Sequence, residues 1–304
     1  MLEKVDLGKK IKKKEYKRRR KKLRTRLYDL QKACWDAGIP TMVVFEGWDA
    51  AGKGTSINVL TQRLDPRGFS LHAIQAPRTY ETHMPWLWRF WLKIPNYGEM
   101  AIFDRSWYGR VLVERVEELT PKEEWRKAYR DIVNFERTLS DDGYVIVKFF
   151  LHISKKEQKR RFKKIEKDPL EAWRVQPEDW EHHKKYDEYV LAIEEMLERT
   201  DTEWGRWTIV EATNKRWTHT KIFETLINRM EEELERRGLP LPLGEEAQAA
   251  AQAEAEVEAQ AAREVASEEI EAEETQTAAG AAPDDEELDL TETPKVIADK
   301  EQEV

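Results

Sequence analysis

One cysteine, Cys34, stands in 304 residues. No internal disulfide can form, and the chain reads as one suited to a reducing compartment, the cytoplasm. Long apolar runs are missing as well. No stretch approaches the ~18 residues of a membrane-spanning helix, so no membrane partner is expected. No apolar segment follows the charged N-terminus, so no signal peptide is expected. Large apolar and aromatic side chains are nearly absent from residues 244–304, which carry 20 acidic and 3 basic groups, a net of −17. Ala, Glu and Gln cannot bury enough surface to offset the entropy of ordering. Residues 241–304 therefore read as a disordered acidic Ala/Glu-rich tail.

That tail hides the sign of the rest. The formal net charge is −8, yet residues 1–243 hold 49 basic and 40 acidic side chains, a net of +9. A basic body of this kind is suited to a polyanion. The charge is densest in residues 9–26, with 13 Lys and Arg against one acid, Glu15. Leu23, Leu27 and Leu30 then recur at helical spacing. Residues 8–36 therefore read as a basic helix that turns amphipathic, closed by Gly38 and Pro40, and residues 1–38 as a basic N-terminal segment.

Residues 39–240 alternate between apolar strands and helical patterns. Strands are expected at Thr41–Phe45, Phe69–Gln75, Met100–Phe103, Tyr144–Leu151 and Trp207–Val210. Ile57, Leu60 and Leu64 mark a helix after the first strand. Thr120–Glu123 has the form of a capping box with proline at the first helical position, and Ser154–Glu157 is a second such box. Pro177 opens a helix that carries Tyr186, Tyr189, Val190, Ile193 and Leu197 on one face. Ile222, Phe223, Leu226, Ile227 and Met230 define the last helix. The alternation predicts an α/β fold, a parallel sheet covered by helices on both faces.

The strongest chemical signal is Gly47-Trp-Asp-Ala-Ala-Gly52-Lys53-Gly54-Thr55, with the G-x-x-x-x-G-K spacing of a phosphate-binding loop, or Walker A motif. Its glycines let the backbone curl until successive amides point at one phosphate. Gly47, Ala50, Ala51, Gly52, Gly54 and Thr55 are thus candidate phosphate-binding positions. The following helix adds its positive end, and Lys53 adds a full charge. Gly54 stands where many such loops place a Mg²⁺-holding Ser or Thr. Asp49 lies inside the loop, where a carboxylate beside phosphate needs an intervening cation. It is a candidate metal ligand, or else a turn-forming Asp. Asp104 ends a short apolar strand, which would bring its carboxylate to the same sheet edge as a second metal ligand. Arg105 and Arg110 follow and can clamp phosphate with two N–H groups each, or serve as surface ion-pair residues. Lys156, Arg160 and Lys163 or Lys164 share one face of a helix, as a polyanion-facing stripe or a solvated basic face. Trp48, Trp107 and Tyr108 read as packing residues or base-stacking groups. The six histidines, among them His182 and His183, read as structural.

GWDAAGKG at 47–54, FDRSWYGR at 103–110 and the basic segment after Ser154 together resemble polyphosphate kinase family 2, over about Leu7 to Met230. FDRSWYGRVLVERVE, with WRFW at 88–91 upstream, is most similar to the branch that phosphorylates AMP. Thr55-Ser56 is a small departure from the pattern. The resemblance implies a thymidylate-kinase-like P-loop kinase fold with a five-stranded parallel sheet and a helical lid, here about 154–185. It implies a Mg²⁺-dependent transferase that moves phosphate between inorganic polyphosphate and a nucleotide, AMP to ADP above all. Lys53, Asp49, Asp104 and Arg105 would be catalytic, with Asp49 and Asp104 on the metal and Arg160 and Arg161 lining the channel from the lid. The transfer would be in-line, without a covalent intermediate, because positioning and charge neutralisation supply most of phosphoryl-transfer catalysis. The partners implied are polyphosphate and AMP or ADP, and a homo-oligomer is compatible with the resemblance. Alternatives are a polyphosphate-dependent ADP or GDP kinase, an ATP-dependent nucleotide kinase on the same fold, and a nucleic-acid-binding module built on the basic N-terminal helix. The last leaves Asp49 and Asp104 without a role, so no stable nucleic-acid complex is expected.

Overall fold

A computed structural model describes residues 1–244, together with Gln260 and Arg263. Apart from residues 241–244, Gln260 and Arg263, the segment expected to be a disordered tail lies outside the described residues. Five strands form one sheet: β1 (Thr41–Gly47), β2 (Phe69–Ala73), β3 (Met100–Asp104), β4 (Val145–His152) and β5 (Trp207–Glu211). The order is β2-β3-β1-β4-β5 and every pairing is parallel. This is the expected α/β architecture. All eight residues of β4 are buried, and β1 is buried up to its final glycine, so both strands are apolar over most of their length.

The helices in chain order are α1 (Lys13–Asp36), α2 (Lys53–Thr61), α3 (Trp88–Trp91), α4 (Val113–Val116), α5 (Lys122–Asp141), α6 (Lys155–Glu166), α7 (Pro177–Lys184), α8 (Tyr186–Thr200) and α9 (Lys215–Arg236). Among them α1 and α2 pack with α9, α4 and α5 with α8, and α7 bridges α6 and α8. No helix among the described residues is long and apolar enough to cross a membrane.

Three local expectations change. Thr120 does not cap α5: its hydroxyl donates to Glu114 and accepts from Arg110, and the helix starts behind Pro121 instead. Ser154 does cap α6, but Glu157 turns its carboxylate to Arg160 and Arg161, so the box closes only halfway. The helix opened by Pro177 is two helices, broken at Lys185.

One buried network sits beneath the second motif. Lys148, in β4, is fully buried and donates to Glu136, to the Tyr108 hydroxyl and to the Thr200 carbonyl, each at 2.8 Å. All three ammonium donors are satisfied, as a buried lysine requires. Tyr108 and Trp107 also donate to Glu136, so these two aromatics are packing residues.

Candidate active site

The sheet sets the site. Strand order reverses at β1, and the crevice beyond the carboxyl ends of β1 and β3 is where such sheets bind ligands. Phe45 pairs in register with Asp104, so the loop leaving β1 and the loop leaving β3 start side by side.

The first loop depends on Gly47. Its φ is 138°, and a Cβ there would lie 2.5 Å from the Leu151 carbonyl oxygen and 2.7 Å from its nitrogen. Only glycine lets β1 pass β4 this closely. Ala50 adopts φ 57° and Gly52 φ 104° before α2 begins at Lys53. The Lys53 ammonium folds back to donate to the carbonyls of Gly47 and Trp48, at 2.7 and 3.2 Å. In the second loop Arg105 is also left-handed, at φ 63°. That turn lets its amide donate to the Phe45 carbonyl, and its guanidinium donates to the Asp49 carboxylate at 3.0 Å. Two of the three non-glycine residues with positive φ among those described thus fall in these loops, where strain accompanies function.

Trp48 borders the cleft, but its ring is buried. Its ring stacks on Tyr186 at 3.9 Å between centroids, and its indole N–H donates to His152.

Helices α6 and α7 close over the first loop. Gln158 donates to the Asp49 carbonyl, and its own amide oxygen accepts from His183. Arg161 spends all five of its N–H groups on protein acceptors. Nε donates to Glu157, Nη1 to the carbonyls of Ala50 and Ala51, and Nη2 to those of Ala212 and Thr213. Arg161 lines the cleft and also ties the phosphate loop to the loop after β5. Arg160 is exposed, lines the cleft and pairs with Glu157.

Asp49 is the hub. Besides Arg105 it meets His182 Nδ1 at 3.3 Å and lies 3.9 Å from Lys53. Burial alone would push its carboxyl pKa up. The His182 hydrogen bond and the charges of Lys53 and Arg105 outweigh this and hold it well below the usual carboxylate range. His182 was expected to be structural, and its pKa is raised chiefly by that same hydrogen bond. Glu46, behind the loop, is fully enclosed. Burial raises its pKa, with a partly offsetting hydrogen bond from Ser106.

A cleft of about 580 Å³ runs along these parts, lined by the loop from Trp48 to Thr55, by Asp104 and Arg105, and by Arg160 and Arg161. Lys164, Arg174 and Lys215 line it too, although the sequence reading left Arg174 and Lys215 out. Burial lowers the Lys215 pKa, and the charges of Arg161, Lys164 and Arg174 lower it further, as expected of cations crowded round a space for an anion. A smaller pocket of about 120 Å³ lies behind, between Gly109, Leu112, Val113, Phe150, Tyr189 and Ile193. Trp48, Asp49 and Arg105 line both cavities.

Arg110 does not reach the large cleft. Its guanidinium lies 3.1 Å from Glu114, donates to Thr120 and stacks over Trp86. These partners, gathered by the short α4 turn, take the place of the expected phosphate.

Two acid groupings offer themselves to a cation. Asp104 and Asp49 both border the cleft, and the Asp104 carboxylate lies against Gly54, which has no side chain in its way. Ligand atoms of Asp49, Asp179 and His182 also lie within 4.8 Å of one another. The carboxylate pair suits a hard cation that takes oxygen ligands and shares phosphate oxygens. The imidazole suits such a cation poorly.

The architecture is that of a P-loop α/β phosphotransferase fold. A sequence model described as Polyphosphate kinase 2 (PPK2) matches residues 10–238, and the chain belongs to that family. It is 42% identical over 231 residues to the polyphosphate:AMP phosphotransferase of Pseudomonas aeruginosa, covering 76% of this chain and 47% of that one. The chain thus spans about half the length of that relative. It is 35% identical to a putative GDP-polyphosphate phosphotransferase of Corynebacterium glutamicum, over 76% of this chain and 72% of that one. The crystal structure of Polyphosphate Kinase 2 from Arthrobacter aurescens superposes with a TM-score of 0.74 at 29% identity, over 84% of this chain and 93% of that one.

Proposed function

We propose that the chain transfers phosphate from inorganic polyphosphate to AMP, giving ADP, with Mg²⁺ as cofactor. One observation carries the reading: a cation-crowded cleft and a smaller, partly apolar pocket share Asp49 and Arg105. The phosphate chain and the acceptor phosphate of the nucleotide would meet in the larger cleft at those two residues, the smaller pocket being too tight for a whole nucleotide. The relative named for AMP is the more similar of the two, at 42% against 35% for the one named for GDP, which favours AMP as acceptor.

Lys53 and the loop amides hold the donor phosphate. Lys53 now donates to two loop carbonyls and can exchange them for phosphate oxygens. Arg105, held by Asp49, neutralises the moving phosphoryl group, whose charge grows on its outer oxygens. Asp49 and Asp104 supply the oxygen ligands for Mg²⁺, which when bound screens the charge between donor and acceptor. Arg160 extends the positive field along the chain, and α6 and α7 keep water from the reacting atoms. Chromatographic product analysis with polyphosphate and each of AMP, ADP, GMP and GDP tests the acceptor. AMP is expected to react fastest, and consumption of ADP or GDP alone would overturn the assignment.

A further inference from the structure

The basic N-terminal half of α1 has no part in the site just described. A cleft of about 580 Å³ holds only a short run of phosphates, so most of a long polymer must lie outside it. The structure fixes where α1 stands relative to the mouth of that cleft. α1 runs parallel to α9 with steady register: Arg216 donates to the Ile11 carbonyl just before α1, Tyr16 and His219 share a hydrogen bond, and Arg19 and Arg26 donate to Glu224 and Glu231. α9 begins at Lys215, which lines the cleft. The first turns of α1 therefore lie beside the start of α9, next to Lys215 at the cleft wall.

Lys13, Lys17, Arg20 and Arg24 follow one another at i, i+4, i+7 and i+11, a single stripe on a helix. Arg24 donates to the Val59 carbonyl of α2, the helix that opens at Lys53. The stripe thus fronts the side of α1 nearest the phosphate loop's own helix. Lys13 and Lys17 are exposed. Like charges at this spacing repel one another along the helix. Such crowding is relieved when a polyanion lies along it. Lys215 at the cleft and Arg20 and Arg24 of the stripe all lie close enough to His219 to act on it, so cleft and stripe share one basic neighbourhood.

We propose that this stripe of α1 is an outer track for polyphosphate, holding the part of the polymer that extends past Lys215. The inference rests on polyphosphate being the substrate. The track acts by keeping a long chain tethered near the cleft, which raises its local concentration without touching the chemistry.

The test uses the full chain with Lys13→Gln, Lys17→Gln and Arg20→Gln combined, and leaves the catalytic groups alone. Calorimetric Kd values are measured for long-chain polyphosphate and for a linear hexaphosphate, across a salt series. The variant is expected to lose about tenfold in affinity for the long chain, with a shallower salt slope, and less than about twofold for the hexaphosphate. Circular dichroism checks that α1 remains helical, and single variants replace the triple one if it does not. Equal Kd values for both lengths in variant and wild type would overturn the track, as would an equal loss on both. A variant that keeps its long-chain affinity but loses RNA binding in a gel shift would assign the stripe to nucleic acid, against the proposal. Turnover is recorded separately. Its absence with either polyphosphate would overturn the proposed function, while the length dependence of Kd would still decide the track.

Discussion

The Arg105 guanidinium and the Asp49 carboxylate, 56 positions apart in the chain, meet at 3.0 Å and join the loop after β3 to the loop after β1. The contact holds both groups in place before substrate arrives, which is the preorganisation that phosphoryl transfer rewards. Asp49→Asn should therefore lower turnover by about two orders of magnitude, since it weakens both the metal site and the hold on Arg105. The fold should survive, because a half-buried amide is accepted there. Steady-state kinetics with a Mg²⁺ titration, alongside a thermal melt, checks this. Near-wild-type rates would return Asp49 to the role of a turn residue.

Gly47 and Gly54 belong to the same motif and should respond oppositely to alanine. A Cβ at Gly47 would lie 2.5 Å from a Leu151 backbone atom, whereas one at Gly54 meets nothing closer than the Asp104 carboxylate at 3.7 Å. Gly47→Ala is expected to cost roughly 3 kcal/mol or more from overlap and strain together. Gly54→Ala should leave stability within about 1 kcal/mol. Urea unfolding of the two variants gives the comparison directly.

Arg160 and Arg161 are neighbours with separate roles. Arg161 is mostly buried and braces two loops through backbone carbonyls, while Arg160 is largely exposed. Arg161→Lys keeps the charge but not the forked geometry, and should lower both the melting temperature and kcat, the latter about tenfold or more. Arg160→Ala should leave the melt unchanged, because an exposed pair contributes about 0–1 kcal/mol, and should raise the KM for polyphosphate. The reverse pattern would make Arg161 the substrate contact and Arg160 the brace.

Acid should loosen the fold through His152 and His219. Burial pushes both down to about 4 in the folded chain. Unfolded histidine titrates near 6.5. The unfolded state therefore binds more protons between those values, so stability is complete above about pH 6.5 and falls as the pH drops towards 4. Each group accounts for about 3 kcal/mol over that window. His219→Gln can still accept from Tyr16, and its melting temperature should depend less steeply on pH between 4 and 6.5. An unchanged slope would show that His219 does not titrate in this way.

The sheet was legible because β1, β3 and β4 are short, mostly apolar runs rich in strand-forming residues, and the helices because their apolar positions recur at helical spacing. The loop from Gly47 to Thr55 was legible for the same local reason, its glycines. What was not legible depends on contacts between distant positions. Arg161 was expected to face phosphate, yet its donors go to Ala50, Ala51, Ala212 and Thr213, which no spacing rule connects to it. His182 carries no metal-ligand spacing and reaches Asp49 only because α7 folds back over the loop. Arg110 was expected to bind phosphate from its place in the motif, but Glu114 and Thr120 hold it. Lys148 interrupts an otherwise apolar strand, and its partner Glu136 lies on the facing side of α5. That strand was read correctly because a paired and fully hydrogen-bonded lysine is tolerated in a core.

The identity of the phosphate donor is the centre of the account. Purified full-length protein is incubated with AMP and Mg²⁺, and with either polyphosphate or ATP as sole donor, while ³¹P NMR follows the products. The account predicts ADP from polyphosphate in the complete absence of ATP, with loss of terminal phosphate signal from the polymer. ADP formed only when ATP is supplied would contradict it.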